Sequence, residues 1–109
     1  MKKPKWLLKF FEVILPARKI KTIEGDTPPD RLPLRNIVLA REDDEDWAVG
    51  FMCPCGCGKN LELLLIKEAS PNWMLTIDAS NRPTLRPSVW LKSGCRSHFW
   101  VRNGKIFWC

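Results

Sequence analysis

Tyrosine is absent from the 109-residue chain and histidine occurs once. The aromatic content therefore rests on six tryptophans and five phenylalanines, and that much indole has to be buried or used at a contact surface. The single imidazole, on His98, is the only neutral side chain whose ordinary titration lies near physiological pH, which makes it the only obvious general base. There is no room for a second core, since domains run to about 50–250 residues and small ones bury proportionally less surface. A secretory signal with a cleavage site is missing and the N-terminal apolar stretch falls short of the roughly 20 residues that cross a bilayer, so a cytoplasmic protein without a membrane partner is expected. Finally, most of the chain lacks net charge. Lys2, Lys3, Lys5, Lys9, Arg18, Lys19 and Lys21 stand against Glu12 in the first 21 residues, while the remaining 11 bases and 11 acids cancel. The net charge of +6 thus belongs to an N-terminal arm, and a neutral body gives no electrostatic ground for a nucleic-acid partner.

What is present divides into a basic N-terminal helix and linker, residues 1–28, and a β domain, residues 29–109. Residues 5–15 predict a helix that Pro16 stops, with Trp6, Phe10, Val13 and Ile14 along one side. Packing on the body is the plain reading of that helix, and docking on a partner or lying at a membrane interface is the other. Residues 20–33 read as a connection, because Gly25-Asp26 and Thr27-Pro28-Pro29-Asp30 disfavour regular structure. Residues 36–41 and 47–52 predict two strands joined through the acidic run 42–46. Residues 61–66 and 73–77, around Ser70-Pro71-Asn72, predict a further pair in the same sheet.

The clearest turn is Asn103-Gly104, whose residues tolerate the positive φ of a two-residue hairpin. Pairing outward from it sets Arg102 opposite Lys105, Val101 opposite Ile106, Trp100 opposite Phe107, Phe99 opposite Trp108 and His98 opposite Cys109. Phe99, Val101, Ile106 and Trp108 then share one face, and His98, Trp100, Phe107 and Cys109 the other.

Five cysteines might form disulfides, but Cys53, Cys55 and Cys57 fall within five residues, which strains a disulfide and suits a metal. The odd count and the expected reducing compartment agree. Zinc takes four soft ligands at about 2.3 Å in a tetrahedron, so a segment supplying several must bend sharply. Gly56 and Gly58 allow that bend. Cys95, after Ser93-Gly94, is the best fourth ligand, giving a structural Zn2+ held by Cys53, Cys55, Cys57 and Cys95. That crosslink would tie the middle of the chain to its last hairpin. His98 has ligand spacing from Cys95 and is the alternative donor, and Cys109 is the spare thiol. The fold expected is mainly β: a small single-domain antiparallel fold with one structural zinc site and an N-terminal helix.

The string CPCGCG at 53–58, the segment Leu85-Arg86-Pro87-Ser88-Val89-Trp90, and Cys95-Arg96-Ser97-His98-Phe99 followed by Gly104 and Trp108 resemble, in order and spacing, a small bacterial family encoded beside ubiquitin-like proteins and their activating and conjugating enzymes. The resemblance covers residues 29–109. It implies a serine peptidase with a serine–histidine dyad, acting on the ubiquitin-like protein of its operon in antiphage defence. Matched residue by residue, Ser88 is the nucleophile and His98 the general base. A serine hydroxyl becomes a good nucleophile only when an imidazole at about 2.6–3.2 Å takes its proton. Ser97 is the rival, although adjacent strand residues point to opposite faces. No acidic third member is apparent, Asp78 being the nearest carboxylate upstream. The competing functions are a non-catalytic zinc-knuckle module that recruits enzymes or substrates of the same pathway, with His98 on the metal or in the core, and a metallopeptidase, which three or four thiolates disfavour.

Overall fold

The computed structural model describes residues 5–109. One helix, α1 (Lys5–Ile14), precedes eight strands: β1 (Ile20–Glu24), β2 (Ile37–Glu42), β3 (Glu45–Met52), β4 (Asn60–Leu64), β5 (Met74–Ile77), β6 (Pro83–Trp90), β7 (His98–Arg102) and β8 (Lys105–Trp108). They form two four-stranded sheets, β1-β2-β3-β4 and β5-β6-β7-β8. The fold is mainly β, as the alternation of apolar residues predicts.

Three readings of the sequence change here. Residues 20–24 are a strand rather than part of a connection, pairing in parallel with β2. The acidic run shortens to a two-residue turn, because Asp43 and Asp44 both adopt positive φ and the flanking Glu42 and Glu45 pair with each other. The strand at residues 74–77 joins β6 in the second sheet instead of extending the first, so β4 and β5 belong to different layers. Among the described residues, Trp73 N–H, donating to Leu64 O at 2.9 Å, bridges backbone between those two segments.

The parallel β1–β2 pair needs a long crossover, which passes over the outer face of the first sheet. Close approach there requires glycine: a Cβ on Gly50 would stand 2.6 Å from Cβ of Pro28. This explains why Ile37, Val38, Leu39 and Ala40 are all buried, since both faces of β2 are covered. The main core lies between the sheets, where Ile37, Leu39, Val49, Phe51, Leu61 and Leu63 meet Leu85, Val89, Phe99, Val101 and Ile106. Phe51 and Phe99 meet edge to face across the layers, ring centroids 6.2 Å apart.

The last hairpin has the predicted register throughout, from Arg102 opposite Lys105 to Phe99 opposite Trp108, with Cys109 N–H donating to His98 O at 3.0 Å. Helix α1 packs beside β8 with Phe11 and Leu15 half-buried, and polar contacts fasten it. The Glu12 carboxylate accepts from Arg18 and, at 3.0 Å, from Ile106 N–H. Lys105 Nζ donates to the carbonyls of Glu12 and Leu15 near the helix C-terminus, where a cation is favoured. Trp6, Phe10, Val13 and Ile14 consequently face outward.

Candidate active site and thiol cluster

β6 and β7 bring serine and histidine together. Their regular pairing, with Val89 opposite Phe99 and Trp90 opposite His98, is interrupted by a register shift between Leu85 and Val89. Ser88 lies within that irregular stretch, inside β6 rather than in a turn ahead of it. Since Val89 and Phe99 point into the core, Ser88, Trp90 and His98 are left on the outer side of the sheet. Ser88 Oγ and His98 Nε2 are 2.9 Å apart, within the reach that proton transfer requires.

The surroundings hold both partners. The imidazole stacks on Trp90 with centroids 4.7 Å apart and planes 9° from parallel, and Lys92 Nζ sits 3.0 Å from the centroid of the same indole. Trp73 Nε1 donates to Ser88 O at 3.4 Å, linking the serine backbone to the start of the β5 segment. The sequence carries no local signal for Trp73 or Lys92, because both reach the site through tertiary folding. Trp90 follows from strand pairing once β6 and β7 are set in register. Among the described residues, Asp78 is committed elsewhere: its carboxylate accepts from Arg82 Nε at 2.7 Å and from the backbone N–H groups of Ser80 and Arg82. These bonds, the Arg82 backbone N–H first, hold the Asp78 carboxyl below its usual range.

A cleft of about 970 Å³ reaches Pro87, the neighbour of Ser88, although neither Ser88 nor His98 lines it. Trp73, Met74, Arg86, Pro87, Trp100 and Arg102 are among its lining residues. Arg102 lies over the Trp100 ring at 4.7 Å, so a cation and an indole form one wall together.

The thiols gather at Cys95, within the β6–β7 connection. Cys53, Cys55, Cys57 and Cys95 put their sulfurs within 4.8 Å of one another. Cys53 Sγ is 3.4 Å from Cys55 Sγ and 3.6 Å from Cys95 Sγ. Tetrahedral zinc–thiolate bonds of about 2.3 Å separate sulfurs by about 3.8 Å, so these four soft donors could bind a metal ion with small adjustments. His98 contributes no donor to this group, which among the described residues consists of thiols alone. Ser97 is buried against it, with Oγ 3.2 Å from Cys95 Sγ and 3.9 Å from Cys53 Sγ. The rival serine therefore faces the cysteines while its neighbour His98 faces Ser88, the alternation expected of adjacent residues entering a strand.

Electrostatics within the cluster are unequal. Burial pushes the Cys53 thiol far above its ordinary range. Burial also acts upward on Cys95, but hydrogen bonds from the Ser97 side chain and backbone, and from Cys55 and Cys53, outweigh it and hold Cys95 at about 6. Cys95 is thus the more readily deprotonated of the two thiols.

Compared with known families, residues 24–109 match the model of a family described as the bacterial ubiquitination-like system serine protease, BubE. No curated protein and no solved structure matches the chain.

Proposed function

The chain belongs to this family of bacterial ubiquitination-like system serine proteases, and we propose that it uses Ser88 and His98 to cleave a ubiquitin-like protein from its precursor or from its targets. The observation that carries the dyad is the 2.9 Å separation of Ser88 Oγ and His98 Nε2. In this reading Ser88 Oγ attacks the scissile carbonyl carbon while His98 Nε2 takes the hydroxyl proton. The tetrahedral intermediate collapses with that proton passing to the leaving amine, and water, deprotonated by the same imidazole, then hydrolyses the acyl ester.

The cleft beside Pro87 is the path for the extended tail of the ubiquitin-like protein, with Trp100 and Arg102 as a wall. Zinc is the ion we assign to Cys53, Cys55, Cys57 and Cys95, on the basis of four clustered soft donors. When bound it supplies structure, fixing Cys95 and with it the segment that leads three residues later to His98. The activity fits a cytoplasmic antiphage pathway alongside activating and conjugating enzymes.

Incubating the protein with the ubiquitin-like precursor encoded beside it tests the reading. Cleavage that disappears in both Ser88→Ala and His98→Ala, with fold and metal content retained, supports the dyad, and cleavage persisting in Ser88→Ala removes it.

A further inference from the structure

The outer face of α1 has an arrangement that the peptidase reading does not use. Trp6, Phe10, Val13 and Ile14 are 70%, 52%, 81% and 55% exposed. Their spacing of four, three and one residues puts them on one stripe of the helix. The inward side of the helix already has apolar residues of its own, Leu7, Phe11 and Leu15 being half-buried, so the exposed stripe is a second apolar face beyond the one that docking uses. Glu12, the one acid among the first 21 residues, is turned toward the body to meet Arg18 and the Ile106 N–H, while Lys105 clasps the carbonyls of Glu12 and Leu15. The body therefore presents an apolar ridge rather than hiding it.

A ridge of this kind fits a groove or a planar apolar medium, and charge decides between them. The first 21 residues carry seven bases and one acid, so the sequence around the ridge is strongly basic; Arg18 is buried against Glu12, which neutralises that pair. Lys19 and Lys21, beyond the end of the helix, are exposed. Indole and phenyl side chains flanked by lysines are the combination that settles at the boundary between headgroups and acyl chains. The ten-residue helix is about 15 Å long and cannot span a bilayer, but it can lie in the plane of one.

We propose that α1 is a membrane-surface anchor: Trp6, Phe10, Val13 and Ile14 enter the interface of an anionic phospholipid bilayer, and the N-terminal bases hold its headgroups. The assignment is independent of the dyad, and it replaces the expectation that no membrane takes part.

Co-sedimentation of the full chain with vesicles tests it. Binding to phosphatidylcholine vesicles containing about a third phosphatidylglycerol should exceed binding to pure phosphatidylcholine at least about 10-fold, and should fall as salt screens the headgroups. Trp6→Ser combined with Phe10→Ser, both at exposed positions, should lower binding about 10-fold or more with the melting temperature unchanged. Lys19→Glu with Lys21→Glu should weaken binding to the anionic vesicles alone. Equal partition of the wild-type chain into both vesicle types, or unaltered binding of the double serine variant, overturns the proposal. So does a wild-type chain that ignores vesicles but forms a dimer, by light scattering, that the serine variant loses, since the ridge would then meet a second copy.

Discussion

The imidazole of His98 lies flat on the indole of Trp90, its cross-strand partner, with planes 9° apart. A catalytic histidine is commonly oriented by a carboxylate, and in the proposed dyad a packed aromatic face would do the orienting. The indole face is electron-rich, so it would also favour the imidazolium that the proposed proton transfer from Ser88 forms. Trp90→Ala should lower kcat by about 2- to 10-fold, the equivalent of the roughly 0.5–1.5 kcal/mol carried by such stacks. Trp90→Phe should retain most of the rate. Steady-state kinetics on the precursor, with KM followed separately, check the pair.

The two serines make a sharper contrast. Ser88→Ala should reduce cleavage by about three orders of magnitude or more, the scale on which losing a nucleophile acts. Ser97→Ala should leave cleavage near wild type and instead weaken metal retention, because its hydroxyl lies 3.2 Å from Cys95 Sγ. Cleavage assays and metal titration on both variants separate the roles.

Metal analysis should find one zinc ion per chain, lost in Cys53→Ser and Cys55→Ser. Both residues are buried, so losing the ion leaves uncompensated thiols in the core. Chelation should lower the melting temperature by roughly 10 °C or more, given that about 1 kcal/mol moves a domain of this size by roughly 4–8 °C. Calorimetry with and without chelator measures the shift.

In the metal-free chain Cys95 should be the first thiol of the cluster to be alkylated at neutral pH. Its value of about 6 lies below the ordinary 9.0, so the thiolate prevails at pH 7, whereas burial pushes Cys53 the other way. The sign for stability follows. A depressed thiol pKa stabilises the fold fully above about 9, and that contribution is lost as pH falls through about 6. Iodoacetamide labelling read by mass spectrometry across that window should show Cys95 modification rising through pH 6 ahead of Cys53.

Glu12 holds the helix to the body, and its partner Arg18 is buried. Burial lowers the Arg18 pKa and the Glu12 charge opposes that shift, so removing the carboxylate strands a buried cation. Glu12→Ala should destabilise the fold by about 3 kcal/mol, measured by denaturant titration. Gly104→Ala should also destabilise it, since its φ is +76° and a Cβ would collide with the Arg18 carbonyl oxygen.

Legibility in the sequence tracked how local each signal was. The 98–109 hairpin could be registered from Asn103-Gly104 alone because a two-residue turn fixes every pair beyond it. The thiol group could be anticipated because three donors fall within five residues, and Cys95 completed it from 38 positions beyond Cys57. β1 escaped because only Ile20 along it is buried and its partner in β2 follows a crossover. The layer change after β4 escaped because periodicity reports which residues face inward and not which sheet they join. The Ser88–His98 contact lay between: resemblance named the residues, while the register shift in β6 that lets the hydroxyl reach the ring has no signature in the text.

The division of the ladders between the two sheets bears on how the molecule is assembled. Every strand pairing falls either within residues 20–64 or within residues 74–108. A chain severed in the 67–72 loop would leave each set of strands with all its own partners. Reunion of such fragments would rest on interlocking side chains, on a few backbone bonds such as those of Arg18 and Ile20, and on three thiols from one piece closing around an ion with a fourth from the other. Split in this way, the protein would become a complementation pair whose reassociation responds to the ion proposed for the thiols.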